Sequence, residues 1–235
     1  MVKVGITGSI GAGKSFVGTL LRERGFRVLD ADCKVHELYR DCNELRAELA
    51  DYFGPSCLTS TGVNSALIAD RIFADAKSRE KLEQIVYPYL NRAVEDFFDA
   101  DSETSKCVAE VADAAKNYRF VEAALFSRAP ELLKMLDEIW IVDAPENVRL
   151  QRLIARGLSE SDASRRIENQ RGACAPELFA GLRIREITND GDCSRIETQL
   201  GDLFKFIENG DPGTEAGMTK RRSGVTSKKS GMTMQ

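Results

Sequence analysis

Gly8-Ser9-Ile10-Gly11-Ala12-Gly13-Lys14-Ser15 is a complete G-x-x-x-x-G-K-[ST] phosphate loop, set in the context its mechanics require. Upstream, Val2 to Thr7 is a short run of β-type residues. Downstream, Phe16, Val17, Leu20 and Leu21 recur at helical spacing. Strand, glycine turn and helix start therefore follow one another. Glycines accept positive φ and carry no Cβ, so successive backbone N–H groups can turn inward around an anion at the helix N-terminus. Lys14 adds a mobile cation for the β and γ phosphates, and the Ser15 hydroxyl suits a Mg2+ ion bridging them. Gly11, Ala12, Gly13, Lys14, Ser15 and Phe16 are the expected contacts of a nucleoside triphosphate, with Ser15 the expected metal ligand.

Outward from the loop, Phe26-Arg27-Val28-Leu29, Phe120-Val121 and Ile139-Trp140-Ile141-Val142 read as further strands separated by helical patterns. Crossovers of this length make the strands parallel, with helices on both faces and ligands at the carboxyl ends. The expected fold is α/β, a P-loop NTPase-type parallel sheet with helices on both faces, plus a helical acceptor-side insertion and a lid. From Leu45 to Asp99 the pattern is almost wholly helical, too long for one crossover. It predicts a small helical insertion, about residues 43–99, covering the second-substrate side, with Pro88 starting its last helix.

At 235 residues and 43% hydrophobic, the chain can bury one sizeable core, so residues 1–210 are expected to form one kinase-like domain. No apolar run approaches the roughly 18 residues of a membrane span, and the N-terminus enters the first strand directly, which predicts a cytoplasmic protein with no membrane contact. The six cysteines form no C-x-x-C pair and read as reduced thiols. His36, the single histidine, reads as a surface or packing residue. Residues 211–235 turn to Gly, Ser, Thr, Lys and Met without periodicity and read as a disordered tail. That tail is basic, so the body is more acidic than the net charge of −4 for the whole chain. Nucleic-acid binding by the body is not expected.

Two further constellations carry chemistry. Asp30 and Asp32 close the second strand beside the loop, where a carboxylate can orient a substrate hydroxyl, accept its proton, or hold Mg2+ through water. The alternative for Asp32 is to cap the following helix over Cys33 to Tyr39. The second constellation is basic. Arg149, Arg152 and Arg156 share a helical face, Gly157 breaks that helix, and Arg165, Arg166 and Arg171 follow. Planar guanidinium groups on a hinged helical pair can clamp a transferring phosphoryl group and exclude water. A solvated face paired with Glu146 and Glu168 is the alternative.

Together these residues resemble the dephospho-coenzyme A kinase family, from about Val2 to Ile207. Gly5 to Ser15 looks like that family's loop and Val28-Leu29-Asp30-Ala31-Asp32 like its D-A-D strand end. Tyr52-Phe53-Gly54 and Asp70-Arg71-Ile72-Phe73 match its insertion, and Glu122-Ala123-Ala124-Leu125 resembles one version of its middle strand. Arg152, Arg156, Arg166-Ile167 and Gln170 match its lid, about residues 150–175. Asn189-Asp190-Gly191 matches its late segment near the adenine. The resemblance implies transfer of the γ-phosphoryl of ATP to the ribose 3′-hydroxyl of dephospho-coenzyme A, the last step of coenzyme A synthesis. It makes Asp32 the acid/base residue, gives Lys14 and Ser15 to phosphate and Mg2+, and puts Arg152 and Arg156 in the catalytic lid. Tyr87 stands where the family usually has His, Ser65 where Arg often follows Asn64, Ser127 for a frequent Glu, and Gly157 for a frequent Asp. Two rivals remain: a shikimate- or gluconate-type kinase, which would share the loop and the D-x-D strand end but usually lacks so long an insertion, and, from the departures at Tyr87, Ser65 and Ser127, an ATP-binding regulatory module without transfer activity.

Overall fold

The computed structural model describes residues 1–100, 117–124 and 126–208. In chain order the strands are β1 (Val2–Thr7), β2 (Arg27–Asp30), β3 (Leu58–Thr59), β4 (Gly62–Val63), β5 (Tyr118–Glu122), β6 (Glu138–Asp143) and β7 (Arg183–Thr188). The helices are α1 (Lys14–Glu23), α2 (Ala31–Asp41), α3 (Asn43–Phe53), α4 (Ser65–Ala74), α5 (Ala76–Asp99), α6 (Pro130–Lys134), α7 (Glu146–Ala155), α8 (Glu160–Glu168) and α9 (Cys193–Glu208). Five strands form one sheet in the order β2-β5-β1-β6-β7, every pairing parallel. β3 and β4 form a separate antiparallel hairpin inside the helical block, which the helical pattern does not predict.

A parallel sheet needs cover on both faces, and alternate side chains supply it. Val4, Ile6, Phe120, Trp140, Val142 and Ile187 pack on one face against Val17 and Leu21 of α1 and Ile196, Leu200 and Phe204 of α9. Their strand neighbours Val121, Ile139 and Ile141 point the other way, onto Leu90, Val94 and Phe98 of α5, Leu132 of α6, and Phe179. A third apolar cluster joins α2 to α5 beside the sheet, with Leu45, Leu49, Phe53, Ile68, Ile85 and Val86 buried. A fourth, smaller one joins α7 to α8 through Leu153, Ala163 and Ile167.

One expectation fails here. Pro88 does not start a helix: α5 runs unbroken from Ala76 to Asp99 with Pro88 inside it. The ring removes one backbone donor, but Ile85, Val86, Leu90, Val94 and Phe98 form a buried stripe across the proline, and that packing holds the helix through it. The expected tail, residues 211–235, lies outside the described residues, as does Leu125.

At the foot of the sheet, Glu138 is 2% exposed and accepts hydrogen bonds from Trp140 Nε1, at 2.6 Å, and from Arg185 Nε. Arg183 lies 3.8 Å from its other oxygen. A buried carboxylate met by two cations and an indole ties β6 to the edge strand β7.

Candidate active site

The loop between β1 and α1 folds as its glycines allow. Gly13 sits at φ 98 and precedes α1, whose first turn has no side-chain cap. The unpartnered amide end of α1 thus faces the site, as anion binding requires. Lys14 Nζ donates to Gly8 O at 2.8 Å, holding the ammonium over the loop. Burial pushes its pKa down, and Cys174, Glu122 and Asp32 work against that, with Arg156 adding to the decrease. Lys14, Asp32, Glu122 and Arg156 therefore share one electrostatic neighbourhood, although the chain separates them widely. Phe16, in the first turn of α1, is 37% exposed.

The two aspartates divide their duties. Asp30 ends β2 as the cap of α2, its Oδ1 accepting from Cys33 N at 2.9 Å. The capping role weighed for Asp32 thus belongs to Asp30. Asp32, in the first turn of α2, is exposed and makes no such cap. Partial burial raises its pKa, the Asp30 charge raises it further, and Lys14 and His36 oppose the increase. His36 itself is an exposed residue one turn along α2.

The sequence motif places Glu122 in the middle strand without giving it a role in the site. This residue ends β5 in register with Asp30 of β2 and Ile6 of β1 and is 4% exposed. Ser15 Oγ donates to its Oε1 at 2.7 Å, whereas Oε2 is buried without a hydrogen-bond partner. Burial raises its pKa before any other influence. Gly18 of α1 makes room for it, since a Cβ there would lie 2.8 Å from Oε2. A carboxylate closing the strand just after Phe120-Val121 is the signal that marks it.

Arg152 and Arg156 differ. Arg152 NH1 donates to Gly11 O at 3.1 Å and Ala12 O at 3.2 Å, and NH2 donates to Asn189 Oδ1 at 2.6 Å. Arg156, exposed at the end of α7, is the one whose charge reaches Lys14. Arg149 bonds Ala144 O at the start of its own helix. Arg171 pairs with Glu168 at 2.7 Å and Glu146 at 3.7 Å, so the solvated-face alternative holds for it. From the α8 side, Gln170 Oε1 accepts Ile10 N–H at 2.7 Å, another contact the sequence did not specify.

On the side of α5, Tyr87 is half-buried against the apolar cluster that joins α5 to the sheet. Its pKa is pushed up to about 12 by burial, with Glu83 and Asp32 adding to the rise and Arg128 opposing it. Arg128 lies 3.8 Å from Glu83, one turn before Tyr87. Asn64 caps α4, and Ser65 is exposed behind it. Arg71 donates to Phe53 O at 2.6 Å, closing the end of α3.

With this geometry in hand, the family model for dephospho-CoA kinase matches residues 2–180, about three quarters of the chain. The chain belongs to the dephospho-CoA kinase family. Among relatives bearing that name, the protein of Corynebacterium efficiens is 34% identical over 209 residues, covering 88% of this chain and 98% of its own. That of Aquifex aeolicus is 33% identical over 171 residues, covering 72% and 81%. The crystal structure of TT1252 from Thermus thermophilus superposes with a TM-score of 0.65 at 25% identity, covering 87% of this chain and 96% of that one. The chain is thus a kinase on a P-loop fold, and the loop, Asp32 and the α7–α8 pair all lie within the matched span. Asn189 lies beyond it. No described helix is long and apolar enough to cross a membrane.

Proposed function

We propose that the chain transfers the γ-phosphoryl group of ATP to the ribose 3′-hydroxyl of dephospho-CoA, with Asp32 as general base. The observation that carries this reading is the electrostatic coupling of Lys14, just after β1, with Asp32, just after β2: each charge opposes the other's pKa displacement. The loop amides and Lys14 receive the β and γ phosphates. Asp32 orients the 3′-hydroxyl and takes its proton as that oxygen attacks the γ phosphorus in line. The bond from the γ phosphorus to the β-phosphate oxygen breaks, and the charge left on ADP rests against Lys14 and Arg156. Residues 43–99 wall the acceptor side, and residues 150–175 act as the lid that excludes water.

The site also suits Mg2+. Ser15 Oγ and the half-satisfied Glu122 carboxylate are oxygen donors at one point, the hard-ligand chemistry that Mg2+ takes alongside waters and phosphate oxygens. When bound, Mg2+ would draw charge from the β and γ oxygens. Free thiols at Cys33, Cys42, Cys57 and Cys174 accord with the cytoplasm as the compartment.

ADP release with dephospho-CoA, shikimate and gluconate offered separately tests the assignment. Turnover with dephospho-CoA alone is expected. Turnover with shikimate or gluconate and none with dephospho-CoA would overturn the substrate, and ATP uptake with no ADP formed on any acceptor would favour a binding module.

A further inference from the structure

We infer that Asn189, whose segment was expected beside the adenine, is a positioning residue for the phosphate loop. Its carboxamide and the Arg152 guanidinium together brace the Ala12–Gly13 peptide from outside, so that they govern the grip on a polyphosphate. The inference rests on the kinase reading above and adds to it the origin of the loop's shape.

Asn189 follows β7 and is 4% exposed. Its backbone N–H donates to Asp143 O at 2.7 Å, which fixes it on the end of β6. From there Nδ2 donates to Ala12 O at 2.7 Å while Oδ1 accepts from Arg152 at 2.6 Å. Arg152 then donates to the same Ala12 oxygen and to Gly11 O. Two donors thus hold the Ala12 carbonyl on the outer side of the loop.

A trans peptide points its C=O and N–H in opposite directions. Holding Ala12 O outward therefore turns the Gly13 N–H inward, toward the anion site at the start of α1. Residue 13 must be glycine for a second reason: a Cβ there would lie 2.0 Å from Asn189 Nδ2. The same glycine makes the peptide easy to rotate once its brace is lost. The loop conformation is thus imposed by two side chains that arrive from 140 and 177 residues away along the chain. Arg152 also places a positive charge behind the loop, directed at its carbonyls.

The experiment is competition against radiolabelled ATP with Mg2+ present, using adenosine, ADP and inorganic tripolyphosphate as probes. The proteins are the full-length wild type, Asn189→Ala and Asn189→Asp, with dephospho-CoA affinity measured in parallel. Aspartate keeps the size of the side chain and the partner for Arg152 but cannot donate to Ala12 O, so a folded second variant is available if alanine fails to fold. Both variants should lose about tenfold or more in tripolyphosphate and ADP affinity. Adenosine and dephospho-CoA should bind within about twofold of wild type. A loss that follows adenosine and spares tripolyphosphate would make Asn189 a base contact and overturn the inference. So would unchanged binding of every probe, or an equal loss that extends to dephospho-CoA. A wild-type chain that binds none of the phosphate-bearing probes would overturn the kinase reading itself, and this inference with it.

Discussion

Replacing Asp32 with Asn separates the chemistry from the fold, because the helix cap belongs to its neighbour. Asp30 accepts from Cys33 N and remains in the variant, so the roughly 1 kcal/mol that such a cap contributes is untouched. What the variant loses is a charge in the first turn of α2, worth about 0.3–1 kcal/mol with the helix dipole. It is also relieved of the partial desolvation and the Asp30 repulsion that raise the Asp32 pKa, which act in the opposite sense. The two effects nearly offset, and unfolding free energy should move by less than about 1 kcal/mol. Catalysis has no such offset. An amide cannot take the hydroxyl proton, and losing a positioned general base slows a reaction by about 10²–10⁴. Turnover should therefore fall at least about 100-fold. ATP affinity should hold or rise, since a carboxylate whose charge couples to Lys14 competes with phosphate for it. The assay pairs coupled ADP release at saturating dephospho-CoA with calorimetric titration of MgATP and a thermal melt. A variant that melts like wild type yet keeps more than about a tenth of the turnover would refute the base assignment.

Three further outcomes follow from the same geometry. The proposed base role of Asp32 requires the ionised form, and its pKa is raised, so on that proposal kcat/KM should fall as pH drops through a value above the ordinary carboxylate one. That limb should vanish from the residual activity of Asp32→Asn. By the same linkage the folded chain holds this proton more tightly than the unfolded one, so the group's contribution to stability is full at acid pH and is lost as pH rises through the folded pKa. Gly13→Ala places an L residue at φ 98, costing about 1–2 kcal/mol, and drives its Cβ against Asn189. MgATP uptake in equilibrium dialysis should be largely lost, and near-native affinity would contradict the loop geometry. Glu138→Ala removes the buried partner of Arg185 and Trp140 and should cost about 3 kcal/mol in urea unfolding. Glu138→Gln, which keeps an acceptor for the indole, should cost less.

What could be read in advance shares one property: its chemistry lies in consecutive residues. The loop and the aspartate pair each occupy a single short stretch, and β1, β5 and β6 announce themselves as apolar runs. β7 does not, because an edge strand needs less apolar cover, and Arg183, Arg185 and Glu186 dilute its pattern. Glu122 escaped because its partner Ser15 is 107 residues away and no spacing rule links them. Asn189 and Gln170 act on main-chain atoms of the loop, which have no letter in a sequence. Pro88 shows the converse failure. A sound local rule, that proline opens helices, lost to a buried stripe that continues on both sides of it.

The position of β1 has a consequence for how the chain is made. Among the described strands, the first to be made is the central one. Its sheet neighbours, beginning at Tyr118 and Glu138, are translated more than a hundred residues later. At about 5–20 residues per second, an apolar strand and the turn that follows it wait many seconds without their flanking partners. Such long-range closure makes folding slow and exposes the nascent chain to misassembly meanwhile. Nucleotide cannot shorten that interval, because Ser15 meets Glu122, and the loop meets Arg152 and Asn189, only after most of the polypeptide exists.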